Sequence, residues 1–141
     1  MPFLEDAIAL AVNAHKGQKD KAGNFYILHP LRLMFQMETE MEMIVAVLHD
    51  VIEDTSYSLE ELRNDGYPQE ILEALECLTK RGDEHYDVFI DRVKKNPIAL
   101  KVKIADLEDN MDMKRLKNIT DTDVERLKKY LRIWQSLKRG C

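Results

Sequence analysis

Cysteine is almost missing. Cys77 and Cys141 are the only two in 141 residues. They stand far apart and at no metal-ligand spacing, which excludes a disulfide framework and a cysteine-built zinc site. A reduced, cytoplasmic compartment is expected. A basic excess is also missing: 21 Lys and Arg face 26 Asp and Glu, for a formal net charge of −5. Dedicated nucleic-acid and anionic-membrane binders need a basic surface, so neither partner is expected. No apolar run approaches the ~18–20 residues that span a bilayer. The apolar opening MPFLEDAIALAV carries two acids and no basic lead, unlike a secretory signal. Runs of β-branched residues alternating with period two are nearly absent, and there is no repeat, low-complexity segment or domain boundary.

What is present is helical periodicity. Phe3, Ile8, Leu10, Ala11 and Ala14 fall at helical spacings over residues 3–15, and GQKDKAGNF then breaks the pattern as a loop. Pro30 suits the first turn of a helix over about 30–38. A third helix is expected over 41–52. Ser58 with Glu61 reads as a capping box opening a helix over 59–65. Pro68 opens the next, over 68–80. RGDEHY is a linker, and helices over 85–95 and 98–116 divide at Asn96-Pro97. Thr120 or Asp121 caps a last helix over 122–138, with Gly140 after it. The expected fold is one all-α domain, residues 1–141, of seven or eight helices.

The stretch AVLHDVIEDT, Ala46 to Thr55, sets four ionisable groups into apolar sequence. On a uniform helix turning 100° per residue from His49, Glu53, Asp50 and Asp54 fall at about 40°, 100° and 140°. Val45, Val47, Leu48, Val51 and Ile52 fill the opposite face. Three carboxylates on little more than one turn repel one another by a few tenths of a kcal/mol per pair (roughly), and by more when desolvated. A divalent cation removes that penalty, and imidazole with carboxylates suits a first-row ion such as Mn²⁺, Fe²⁺ or Zn²⁺. A merely solvated acidic face is the plain alternative.

His49 and Asp50 are too few for a closed coordination shell. His29, in YILHPLRLM, stands before Pro30 at the mouth of a helix, where a side chain can be held rigidly. His15 ends the first helix, where the dipole favours it, and His85 lies in the linker with no role expected. In KVKIADLEDNMDM, Asp106 follows Ala105 on a packing face and is costly to bury unless paired or coordinated. Asn110 shares its face at i,i+4. Asp109 and Asp112 are expected to be solvated. Lys103 lies within one turn of Asp106 and is either a surface lysine or a reach toward an anionic substrate.

In chain order these residues read H…HD…D. The pattern resembles the HD-domain metal-dependent phosphohydrolases. HKGQKDKAGNFYILHP, AVLHDVIEDT and KVKIADLEDNM together are similar to the hydrolase domain of the RelA/SpoT group, over residues about 5–135. That group includes small stand-alone alarmone hydrolases, which remove the 3′-pyrophosphate of (p)ppGpp.

The resemblance implies a helical HD-domain bundle with His29, His49, Asp50 and Asp106 as metal ligands and Mn²⁺ as the usual ion. It implies that Glu53 and Asp54 position or activate the attacking water. It puts Asn110 near the ribose and phosphate and Tyr86 near the nucleotide. Lys16, Lys19, Lys21 and Lys103 are candidates to hold phosphates. Three departures leave the ligand set intact and bear on base recognition. Asp20 stands where the group has a base-contacting arginine, Phe25 replaces a proline, and Leu107 and Asp109 replace an Arg and a His.

The implied activity is hydrolysis of guanosine-3′,5′-bis(diphosphate) or a related nucleotide by a metal-activated water. The alternatives are a phosphohydrolase of another phosphorylated metabolite, such as a dinucleotide cofactor, and a non-catalytic nucleotide- or metal-binding module. No synthetase domain is visible, and the oligomeric state is left open.

Overall fold

Capping side chains start the helices where the sequence places them. Ser58 Oγ accepts from the Glu61 N–H at 3.1 Å and opens a helix at Leu59–Asn64. The Asn96 side chain accepts from the Ala99 N–H at 2.9 Å, with Pro97 in the first turn of Pro97–Asn110. Thr120 and Asp123 cap reciprocally ahead of Asp121–Arg139. In the computed structural model, which describes residues 2–139, the α-helices are α1 (Leu4–Ala14), α2 (Leu28–Phe35), α3 (Glu40–Leu48), α4 (Val51–Asp54), α5 (Leu59–Asn64), α6 (Gln69–Leu78), α7 (Tyr86–Lys94), α8 (Pro97–Asn110) and α9 (Asp121–Arg139), with a 3₁₀ turn at Met113–Arg115. Among the described residues there is no β-strand, only an isolated antiparallel bridge between Lys19 and Phe25. Gly140 and Cys141 lie outside the described residues.

The centre of the bundle is α3. Ile44, Val45, Ala46, Val47 and Leu48 are all fully buried, so the second half of α3 is apolar all round, while Glu40 and Glu42 stand in its first turn. It packs on α1, α2, α6 and α8. Ala7 and Ala11 of α1, Leu33 of α2, Ile71 and Leu75 of α6, and Val102 and Leu107 of α8 complete the core around it. No described helix is long and apolar enough to cross a membrane.

Two expected helices are divided. The helix over 41–52 stops at Leu48 and restarts at Val51. Both the His49 N–H (3.5 Å) and the His49 ring Nδ1 (2.7 Å) turn back onto the Ala46 carbonyl. The oxygen that would extend the helix is thereby taken by a side chain. The helix over 98–116 ends at Asn110, and Asp112 caps the short 3₁₀ turn that follows. α2 starts at Leu28, two residues ahead of Pro30.

Candidate metal centre and adjoining cavity

The break after Leu48 decides how His49 is aimed. Adjacent side chains diverge on a regular helix, yet here His49 Nε2 comes within 2.9 Å of Asp50 Oδ2. From α2, His29 Nε2 lies 2.9 Å from Asp106 Oδ1 and 3.9 Å from Asp50 Oδ2. From α8, Asp106 Oδ1 stands 3.6 Å from His49 Nε2. The four residues that the sequence set as H…HD…D therefore meet, carried by α2, the α3–α4 turn and α8. His29, His49 and Asp106 are buried, and Asp50 is nearly so.

One ligand atom each from His29, His49 and Asp50 lie within 4.8 Å of one another. His49 Nε2 is buried and has no hydrogen-bond partner despite its closeness to Asp50, so the two atoms approach without being aligned to bond. A buried imidazole nitrogen left in this way is costly unless something else completes it. Its other nitrogen is committed to the Ala46 carbonyl at 2.7 Å, which leaves the Nε2 lone pair for an electrophile. Donor chemistry, burial and this orphaned nitrogen fit a divalent first-row cation.

The electrostatics agree. Burial alone would lower the His29 imidazole, but hydrogen bonds to Asp106 and Asp109 outweigh it and the group is raised above its ordinary 6.5. Burial also opposes the charge on His49, and the nearby Asp50 and Asp106 carboxylates raise it well above 6.5. For Asp106 burial is again the opposing influence. Lys103 and the two imidazoles overcome it and hold the carboxyl well below 3.8. Both imidazoles are thus held toward their charged form by the same carboxylates that a divalent cation would neutralise.

Several known proteins are similar to this chain. No protein-family model matches it. It is 32% identical over 121 residues to a GTP pyrophosphokinase of Streptomyces coelicolor, covering 77% of this chain and 14% of that protein. It is 30% identical over 120 residues to a guanosine-3′,5′-bis(diphosphate) 3′-pyrophosphohydrolase of Aquifex aeolicus, covering 77% and 17%. The chain thus spans less than a fifth of the length of these curated relatives. Its fold is similar, with a TM-score of 0.78 at 21% identity, to a solved protein described as a metazoan ortholog of SpoT that hydrolyzes ppGpp, covering 97% of this chain and 85% of that one. The chain has the fold of a RelA/SpoT hydrolase-like HD domain.

Around the four residues, the HD domain arranges the other expected side chains unevenly. Glu53 and Asp54 lie on α4. Burial raises each above its ordinary value, and the neighbouring Asp50 charge adds to it. Glu53 Oε1 accepts the Lys80 N–H at 2.5 Å, and Asp54 accepts from the Tyr26 hydroxyl at 3.4 Å. Asn110 Nδ2 donates to Asp106 Oδ1 at 3.2 Å. Lys19, Lys21 and Asn110 line a cavity of about 360 Å³ whose wall includes His29.

Lys103 and Tyr86 are not on that wall. Lys103 Nζ is ion-paired to Asp106 Oδ2 at 2.9 Å, with only 14% of its side chain exposed, and stands over the Phe89 ring. It is neither a surface lysine nor turned to the cavity, because a buried ammonium needs the carboxylate beside it. Tyr86 packs edge-on to Phe89, with Lys129 over its ring.

Two expectations at the C-terminal end of α8 are corrected. Asp109 is not solvated: 12% of its side chain is exposed, and it binds His29 and Arg32. Asp112 is half-buried, paired with Arg115 at 3.2 Å. Sequence reasoning also missed Tyr26, whose hydroxyl donates to Asp50 Oδ2 and is pushed far up by burial and the Asp50 charge. It missed Arg126 and Tyr130 of α9, which reach the cavity from the far end of the chain. A usable signal existed for two of the residues. Arg32 lies three residues after His29 on α2, and Asp109 lies three beyond Asp106 on α8, so each shares a helix face with an expected ligand.

Asp20 lies on the cavity wall, and its Oδ1 accepts the Asn24 N–H at 2.9 Å. Its backbone N–H bonds the Asn24 carbonyl at 2.9 Å, and Gly23 supplies the positive φ of +86° that the turn needs. Asp20 is therefore a turn former as well as a wall residue.

Proposed function

We propose that this HD domain is a metal-dependent phosphohydrolase of a nucleotide (pyro)phosphate ester, with the 3′-pyrophosphate of guanosine-3′,5′-bis(diphosphate) as the first substrate to test. The observation that carries the reading is the convergence of His29, His49, Asp50 and Asp106 beside the cavity, with His49 Nε2 buried and unpartnered. The activities of the Aquifex relative and of the metazoan structural neighbour support the choice of substrate.

In this reading His29, His49, Asp50 and Asp106 hold the cation, with Mn²⁺ the ion proposed. When bound, it supplies Lewis acidity and neutralises charge on the phosphoryl group. The chain does the rest. Glu53 or Asp54, each made more basic by burial than a free carboxylate, takes the proton of the attacking water. The Lys80 N–H keeps the Glu53 carboxylate in place. Tyr26 steadies Asp50. Lys19, Lys21 and Arg126 supply positive charge on the cavity wall for the remaining phosphates, and Asn110 reaches the sugar side. Tyr86 and Lys103 act from behind Asp106. Residues 1–141 act as one domain, in a reducing cytoplasm where Cys77 stays a free thiol.

Asp20 favours a second reading. An acceptor-only carboxylate on the cavity wall does not offer a base the donors of an arginine, so another phosphorylated nucleotide or metabolite is the alternative substrate. Purified protein with Mn²⁺, assayed against ppGpp and a panel of phosphoesters, separates these. Pyrophosphate from ppGpp supports the first reading. Orthophosphate from another compound supports the second. Binding without product points to a module that senses a nucleotide and does not turn it over.

A further inference from the structure

His29 and Arg32 stand three residues apart on α2, and Asp106 and Asp109 stand three apart on α8. The two pairs face each other as rungs between the helices. The upper rung is His29 Nε2 to Asp106 Oδ1 at 2.9 Å. In the lower, His29 Nδ1 donates to Asp109 Oδ2 at 2.6 Å. Arg32 grips the same carboxylate in a fork, Nε to Oδ1 at 2.7 Å and Nη2 to Oδ2 at 3.0 Å. Arg115 fixes the backbone there, its Nη2 donating to the Asp109 carbonyl at 2.9 Å.

We propose that Asp109 is the positioning residue of the cation site, accepting the Nδ1 proton of His29 so that Nε2 is left to the ion, with Arg32 locking the carboxylate in place. This rests on the metal-centre reading above. An imidazole presents one lone pair only when its other nitrogen carries the proton, and the partner of that nitrogen sets both tautomer and ring angle. His49 has this service from the Ala46 carbonyl. His29 has no backbone acceptor at Nδ1 and receives it from Asp109. A bidentate guanidinium–carboxylate contact is among the most directional available, so the ring is aimed through two rigid joints. Charge matters as well as aim, because a carboxylate partner makes the ligand nitrogen a better donor than an amide partner does.

The test uses the full chain stripped of metal and then titrated with Mn²⁺ alone, read by calorimetry, in wild type, Asp109→Asn, Asp109→Ala and Arg32→Leu. Asp109→Ala is expected to weaken Mn²⁺ binding about 10–100-fold. Asp109→Asn, which keeps an acceptor oxygen and loses the charge, should fall between it and wild type. Arg32→Leu should lower the melting temperature and weaken Mn²⁺ binding by clearly less than Asp109→Ala does, since His29 keeps its acceptor but the acceptor loses its lock. In the Zn²⁺-loaded protein, long-range ¹H–¹⁵N spectra should show His29 protonated at Nδ1 in wild type and lose that single form in Asp109→Ala. Turnover by Asp109→Ala should return toward wild type at excess Mn²⁺.

A folded Asp109→Ala protein that binds Mn²⁺ as tightly as wild type overturns the proposal and leaves the metal centre standing. Equal loss of affinity in Arg32→Leu and Asp109→Ala also overturns it, because that is the signature of a helix-to-helix staple. Wild type that binds no ion overturns both.

Discussion

Adding Mn²⁺ to the metal-free domain near pH 6 should release about two protons per ion. His29 and His49 both sit above their ordinary 6.5 in the metal-free fold, so both are largely imidazolium at that pH. Their Nδ1 protons are engaged by Asp109 and the Ala46 carbonyl and remain. The protons that must leave are on the two Nε2 atoms, which face Asp106 and Asp50. Asp50 and Asp106 are held below 3.8 and contribute none.

The slope of log affinity against pH therefore approaches about two on the acid side, or about 2.7 kcal/mol per pH unit, and flattens once both imidazoles are neutral. At a hundredfold excess over Kd the ion adds about 2.7 kcal/mol to stability, which for a chain of this size raises Tm by on the order of 10 °C. Calorimetry in two buffers of different ionisation enthalpy counts the protons directly. Strong binding at pH 6 with no proton released would refute the assignment of the two Nε2 atoms as donors.

The metal-free fold should respond to pH from both sides. His29 and His49 are raised, so their stabilisation is complete below 6.5 and lost as pH climbs through the folded values; Asp50, Asp106 and Asp109 are depressed, so theirs is present above 3.8 and lost as pH falls through the folded values. Melting curves from pH 3 to 9 without metal should peak between those limits, and a monotonic rise to pH 9 would contradict the imidazolium pair. His49→Ala and Asp50→Ala should each abolish Mn²⁺ binding in calorimetry and all turnover; a variant that keeps metal-dependent activity removes its residue from the ligand set. Glu53→Gln should bind Mn²⁺ normally while kcat drops about 10²–10⁴-fold, whereas loss of the ion would make Glu53 a ligand. Leu48→Ala, at the fully buried end of α3, should cost about 2–5 kcal/mol in urea denaturation, and a change below 1 kcal/mol would mean the turn after it does not depend on that packing.

Local signals in the sequence were reliable where the interaction is itself local. Ser58 reads as a cap, and so does Thr120 or Asp121; in the structure Ser58 and Thr120 cap within three residues. The uniform helix drawn through 41–52 failed because the His49 ring competes for the Ala46 carbonyl, a side-chain choice that periodicity does not encode. Asp109 and Lys103 were misjudged for one shared reason. Each looks like an exposed charge on its own helix and is covered by a group from another element, Arg32 of α2 for Asp109 and the α7 ring of Phe89 for Lys103, which pairs with Asp106 on its own helix.

From residue order alone came an all-helical chain, its caps and loops, and a short inventory of imidazoles and carboxylates in an apolar context that chemistry would have to explain. Periodicity and capping act over a few residues, so they can be read along a line. Tertiary packing alone brought α2, the α3–α4 turn and α8 to one point, left His49 Nε2 without a partner, and gave His29 a carboxylate 80 residues away. Those outcomes depend on which helix faces lie against the buried α3, and a contact between distant segments has energy only once the core has closed around it.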